Sequence, residues 1–216
     1  MRVWKFGNLA AVAAVTCAIF AAAPAEANLI ANGSFEATQY GTGYYAYPNA
    51  TLDSWTYTLG GGILNASAGS AWYIGSGPSG FDGDQYAFLQ GTGSTISQSF
   101  TSGDGAYELT FLDAGRSAFG SYNGDQTFQV WIDGNLVGTF STVSNSNFAL
   151  QTINNIDLTA GSHTLMFLTL NPLGGDETAF VDDINLNEVP EPATIALLGV
   201  GLVGFGALYR RRKAAP

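Results

Sequence analysis

Cysteine is nearly missing from this chain, and so is positive charge over most of its length. The one cysteine, Cys17, lies in an apolar N-terminal stretch, so no disulfide, thiolate nucleophile or cysteine metal cluster can form downstream of it. Between Asn28 and Glu188 there is no lysine and a single arginine, Arg116, against 15 Asp and Glu, a net of −14 with histidine neutral. Nucleic-acid binding needs Lys and Arg to neutralise phosphates, so that partner class is excluded. The acidity suits divalent cations, neutral glycans or solubility outside the cell. Histidine occurs once, as His163, which rules out a histidine metal cluster. No G-x-S-x-G elbow accompanies His163, so a Ser-His-Asp hydrolase has no support and the residue reads as structural. No window between 28 and 188 has the period of a long amphipathic helix.

The two ends carry the positive charge and the longest apolar runs. Arg2 and Lys5 precede an apolar stretch from Leu9 to Ala23, and Ala25-Glu26-Ala27 is a small-x-small site. This predicts a signal peptide over 1–27, cleaved after Ala27. Ala14-Val15-Thr16 before Cys17 is a poor lipoprotein signal, and apolar residues continue past it. At the other end, Val189-Pro190-Glu191-Pro192 leads into a charge-free run from Ala193 to Tyr209, followed by Arg210-Arg211-Arg212-Lys213. Pro-Glu-Pro interrupts helix and sheet, because proline fixes φ and lacks an N–H. The 17-residue run is at the short end of a membrane-spanning helix. The cations behind it would stay cytoplasmic.

The 28–188 region is too rich in Trp, Tyr, Phe and β-branched residues to be disordered. Short apolar or alternating runs recur between Gly, Asn, Asp and Ser clusters. Strands are expected at Ser54–Leu59, Ala71–Ile74, Gln85–Gln90, Ser94–Phe100, Tyr107–Phe111, Phe128–Ile132, Leu136–Phe140, His163–Leu170 and Thr178–Leu186. Asp133-Gly134-Asn135 marks a hairpin turn. Roughly ten short strands with no helix predict one antiparallel β-sandwich. Gly60-Gly61-Gly62, Gly75 to Gly80 and Gly91-Thr92-Gly93 read as loops. The second fits G-x-G-x-x-G by letters but opens no helix, so it is a turn. Asp82-Gly83-Asp84 and Asn123-Gly124-Asp125 read as turns as well.

Two resemblances follow from these segments. The tail from 189 to 216, with a transmembrane helix over 193–209, resembles the PEP-CTERM sorting signal of Gram-negative bacteria, which an exosortase-type membrane protease reads. Pro190, Glu191 and Pro192 would be the sorting motif, and the inner membrane a transient station before release to the cell surface or medium. Asn28-Leu29-Ile30-Ala31-Asn32-Gly33-Ser34-Phe35-Glu36 and Ala179-Phe180-Val181-Asp182-Asp183-Ile184-Asn185-Leu186 carry the second. With Ser54-Trp55, Gly83 to Leu89 and Ile96 to Phe100 between them, they look like the galactose-binding-like jelly roll of carbohydrate-binding modules. That resemblance implies a structural calcium clamping the first and last segments through Glu36, Asp182 and Asp183. Period two independently sets Phe180, Asp182, Ile184 and Leu186 on one face, aiming Asp182 at an apolar layer. A carboxylate there needs a partner, and calcium accepts such oxygens.

Sugar rings stack on aromatic faces beside polar groups that fix the hydroxyls. Loop-placed aromatics are Tyr44, Tyr45, Tyr47, Trp55, Trp72, Phe119 and Tyr122. Arg116 is a candidate bidentate donor, and Arg116, Tyr122 and Trp72 are the expected ligand-binding set. The expected function is an exported, non-catalytic protein associated with carbohydrate or exopolysaccharide. A purely structural or adhesive matrix protein and a small glycan-active enzyme stand as alternatives.

Overall fold

A computed structural model describes residues 27–67, 72, 77–117, 122–123 and 125–190. Among them every regular element is a strand: β1 Tyr45–Ala46, β2 Thr51–Leu52, β3 Trp55–Thr58, β4 Gly61–Asn65, β5 Gln85–Gln90, β6 Thr95–Ser102, β7 Gly105–Gly115, β8 Tyr122–Asn123, β9 Thr127–Ile132, β10 Asn135–Ser141, β11 Ala149–Leu158, β12 Gly161–Thr169 and β13 Asp176–Glu188. They form two sheets. One runs β1-β4-β5-β13-β7-β11, with β8 parallel to the start of β13; the other runs β10-β9-β12-β6-β3-β2. All other pairings are antiparallel. The expected β-sandwich is therefore the observed fold. The expected signal peptide, the transmembrane segment at 193–209, and Glu191 and Pro192 lie outside the described residues, apart from Ala27.

The main core fills the space between the sheets, with Trp55, Tyr57, Phe111, Phe128, Val130, Leu165 and Phe167 fully or almost fully buried. The expected hairpin closes β9 onto β10, pairing Ile132 with Asn135, and positive φ at Asp133 (51°) and Gly134 (76°) matches a type I′ turn. The terminal segments meet as anticipated. Leu29 N–H donates to Leu186 O (3.0 Å), Ile184 N–H to Gly33 O (3.0 Å) and Leu186 N–H to the Asn28 side chain (2.9 Å).

Three departures from the sequence reading have physical causes. Gly60-Gly61-Gly62 is not simply a loop, because Gly61 and Gly62 open β4. A Cβ on Gly62 would lie 2.2 Å from Ala46 O and 2.3 Å from the Phe88 ring, so the glycine serves close approach. Strand β11 went unread because it is a mostly exposed edge whose apolar spacing slips at a bulge between Ile153 and Ile156. The third is in β13. Ala179 and Val181 point into the main core, yet so do Ile184 and Leu186, while Phe180 belongs to a second cluster. A bulge between Asp182 and Asn185, with Asp183 at φ 45°, reverses the phase. Asp182 therefore shares a face with Phe180 and not with Ile184 and Leu186.

That second cluster sits on the outer face of the β1-to-β11 sheet. Leu64, Tyr86, Phe88, Ala114 and Phe180 are covered by Trp72, Phe81 and Phe148 from connecting segments. Trp72 itself lies in a turn; the remainder of the strand expected at Ala71–Ile74 is outside the described residues.

Candidate functional site

The acidic clamp is built around one loop, Asp82-Gly83-Asp84. Glu36, at the end of the N-terminal segment, receives the N–H groups of Asp84 and Gln85 on Oε1 (both 2.7 Å) and the Gln39 amide on Oε2 (2.6 Å). A Cβ on Gly83 would lie 2.4 Å from Glu36 Oε1, and its φ is +66°. The turn expected at Asp82-Gly83-Asp84 is thus a cradle shaped to the Glu36 carboxylate. At the loop's other end Asp182 Oδ2 accepts the Asp82 N–H (2.7 Å). Asp182 is fully buried, and its Oδ1 has no partner. Burial pushes its pKa up to about 8, with the charges of Asp82 and Asp183 adding to the rise. Asp183 turns away, accepting from Asn185 (2.8 Å). Glu36 and Asp182 thus grip the two ends of one loop. Among the described residues no three Asp, Glu, His or Cys side chains converge closely enough to hold a metal.

The expected ligand-binding trio is arranged differently from the sequence expectation. Arg116 and Trp72 are both 2% exposed, and they pack on each other with the guanidinium carbon 4.7 Å from the ring centroid. Arg116 also pairs with Asp176 (3.4 Å) and donates to the Thr178 hydroxyl (3.3 Å). Neither side chain offers a surface to a ligand; together they brace the outer cluster. The Tyr122 backbone pairs with Asp176 at the start of β13; its side chain, like Phe119, lies outside the described residues.

Among the other aromatics, Trp55 is fully buried with its indole N–H on Asn32 O (2.9 Å). Tyr44 is half-buried and stacks on Tyr40 at 4.2 Å. Tyr45 and Tyr47 are the exposed pair, at 49% and 40%. Both lean on the cluster below, Tyr45 edge-on to Trp72 (5.3 Å) and Tyr47 edge-on to Phe88 (4.8 Å). Tyr45 lies opposite Leu64 in the β1–β4 ladder. Beyond Leu64 opens a polar cleft of about 490 Å³ lined by Gln39, Tyr40, Thr42, Asn65, Ser67 and Asp84. Rigid rings, amides and hydroxyls are the groups that sugar recognition uses.

His163 proves to be a tie between elements. Its Nδ1 lies 2.5 Å from Asp133 Oδ2 and its Nε2 2.8 Å from Thr159 O. The Asp133 carboxylate raises the imidazole pKa, and the imidazole lowers that of Asp133. With both nitrogens engaged, it cannot serve as a base for a nucleophile.

Pro190 follows directly on Val189, whose N–H makes the last ladder-side bond, to Ala106 O (2.7 Å).

Residues 188–213 match the PEP-CTERM protein-sorting motif. No curated protein matches the chain by sequence. Among solved structures, TmCBM61 in complex with β-1,4-galactotriose is similar at 15% identity and a TM-score of 0.52, covering 76% of this chain and 99% of that one. A family 35 carbohydrate binding module from Clostridium thermocellum is similar at 16% identity and a TM-score of 0.41, covering 63% and 99%. The chain thus carries a PEP-CTERM sorting motif behind a β-sandwich of the carbohydrate-binding-module fold.

Proposed function

We propose that this chain is an exported, non-catalytic glycan-binding protein. Its signal peptide (1–27) directs export, and its tail (189–216) holds it in the inner membrane with the C-terminus cytoplasmic. An exosortase-type protease acting near Pro190-Glu191-Pro192 then releases the 28–188 sandwich to the cell surface, matrix or medium. The observation that carries this reading is the conjunction of a sorting motif with a sandwich of this fold.

Tyr45 and Tyr47 would stack on the ligand, and the neighbouring cleft would supply amides and hydroxyls. Trp72 and Arg116 hold that platform in place and do not touch the sugar. Lacking lysine and carrying excess carboxylate, the surface favours a neutral oligosaccharide over an acidic one. The galactotriose held by the similar module supports the same class.

Structural calcium belongs to this reading in a narrowed form. Asp182 is the residue that would hold it, through the buried Oδ1 left without a donor, with Asp82 beside it. Glu36 Oε1 takes the Asp84 and Gln85 N–H groups and Oε2 the Gln39 amide, so this residue shapes the loop. Calcium there would neutralise a carboxylate for which the sandwich has no spare cation.

The test is a glycan array probed with purified protein, followed by a search for reducing-end products. Binding without turnover is expected. Turnover would make it an enzyme, and neither binding nor turnover would leave a structural matrix role. The mass of the released C-terminus tests the sorting step: it should end near Pro190, and a protein still ending at Pro216 refutes cleavage.

A further inference from the structure

Glu177 is used by neither the loop clamp nor the aromatic patch. It takes the inward phase of Ala179 and Val181 on β13, so its carboxyl enters one end of the layer between the sheets, where it is fully shielded from solvent. Neither Oε1 nor Oε2 has a hydrogen-bond partner. The Leu173 N–H is directed at the carboxyl without reaching hydrogen-bond geometry.

A second stranded acceptor lies at the head of the turn that carries Leu173. Asn171 is 9% exposed, and its Oδ1 has no partner. Its own donors are spent, the backbone N–H on Gln126 Oε1 (2.7 Å) and the amide on Gly175 O (3.2 Å). Buried Gln126 joins the two residues, since its amide donates to Glu177 O (3.1 Å) and Gly91 O (3.3 Å). Asp125, whose Oδ1 already accepts the Ser144 N–H (2.7 Å), adds a partnered carboxylate within electrostatic reach. Every uncommitted atom here is an oxygen acceptor. The guanidinium of Arg116 is paired to Asp176, which faces the opposite side of β13. Buried acceptor oxygens of this kind are stable only with a cation or a proton among them.

We propose that Glu177 and Asn171, with Asp125 alongside, form a binding site for a hard divalent cation of the calcium class at this end of the sandwich. The donor set is oxygen only, which suits calcium over softer metals. The adjoining turn runs through Gly174 and Gly175 at φ 75° and 81°, a conformation glycine adopts without strain. A cation here would pin that turn to β13 and to the start of β9. The site is separate from Asp182, which lies on the other face of the strand.

The test is calorimetric titration of the chelator-treated full chain with calcium chloride alone, comparing wild type with Glu177→Gln and Asp182→Asn. Glu177→Gln should lose one equivalent, or bind it at least tenfold more weakly, and Asp182→Asn should retain that equivalent. Unchanged stoichiometry and affinity in Glu177→Gln would overturn the proposal. Glu177 would then be a buried acid held in its protonated form. No calcium uptake by the wild type would overturn it equally. If Glu177→Gln does not fold, Asn171→Asp decides: the added carboxylate should tighten calcium at least tenfold, and unchanged or weaker binding refutes the site.

Discussion

Asp182→Asn should stabilise the calcium-free protein, although it removes a fully buried, hydrogen-bonded side chain. The carboxyl takes the Asp82 N–H at 2.7 Å on one oxygen and nothing on the other. Burial lifts its pKa from the ordinary 3.8 to about 8. The folded protein therefore holds a proton that the unfolded chain releases. Stability without metal is greatest below about pH 4, falls as pH rises to about 8, and is flat above that. At about 1.36 kcal/mol per pKa unit, the buried charge costs roughly 5 kcal/mol once fully formed. Asparagine keeps an oxygen for the Asp82 N–H and carries no charge. Urea melts in chelator should show the variant more stable than wild type by about 3–5 kcal/mol at pH 8 and within about 1 kcal/mol at pH 4. With saturating calcium the wild type should gain stability and the variant much less, closing the gap. A variant less stable than wild type at pH 8 in chelator would refute the reasoning.

Other consequences are direct. Gly62→Ala should cost about 3 kcal/mol in a denaturant melt, since the added methyl meets Ala46 O and the Phe88 ring. Arg116→Met should cost about 2–4 kcal/mol and alter Trp72 fluorescence, because Asp176 loses its partner and the indole its cation. His163 should titrate above its ordinary value in an NMR experiment, held there by Asp133. Stability from this pair should be complete between the ordinary values of 3.8 for the carboxyl and 6.5 for the imidazole, declining as pH rises from there through the raised value of His163 or falls through the lowered value of Asp133. His163→Gln should remove the alkaline slope.

Alternation and turn chemistry made much of the fold legible. Phe128, Val130 and Ile132 announced an inward face, and Asp133-Gly134 announced its turn. The segment around Asn28 to Glu36 pointed to its pairing with the end of β13. What sequence hid were breaks in period. The bulge at Asp183 put Asp182 on the opposite face from Ile184, and the one at Asn155 concealed β11. Gly61 and Gly62 were silent because a strand glycine is chosen by what approaches it. Burial separated the ligand candidates: Trp72 and Arg116 went beneath the surface, whereas Tyr45 and Tyr47 stayed on it. Glu177 could have been found as an acid at an inward position, in step with Ala179 and Val181.

The central claim is that the exposed tyrosine pair carries glycan recognition, and calorimetric titration tests it most directly. The best array ligand would be titrated into wild type and into the Tyr45→Ala, Tyr47→Ala double variant. A ring face of about 50 Å² at about 25 cal/mol per Å² is worth about 1.2 kcal/mol. The double variant should therefore bind about 50-fold more weakly, with its melting curve little changed. Equal affinity in the two proteins would contradict the account and place the sugar elsewhere on the sandwich.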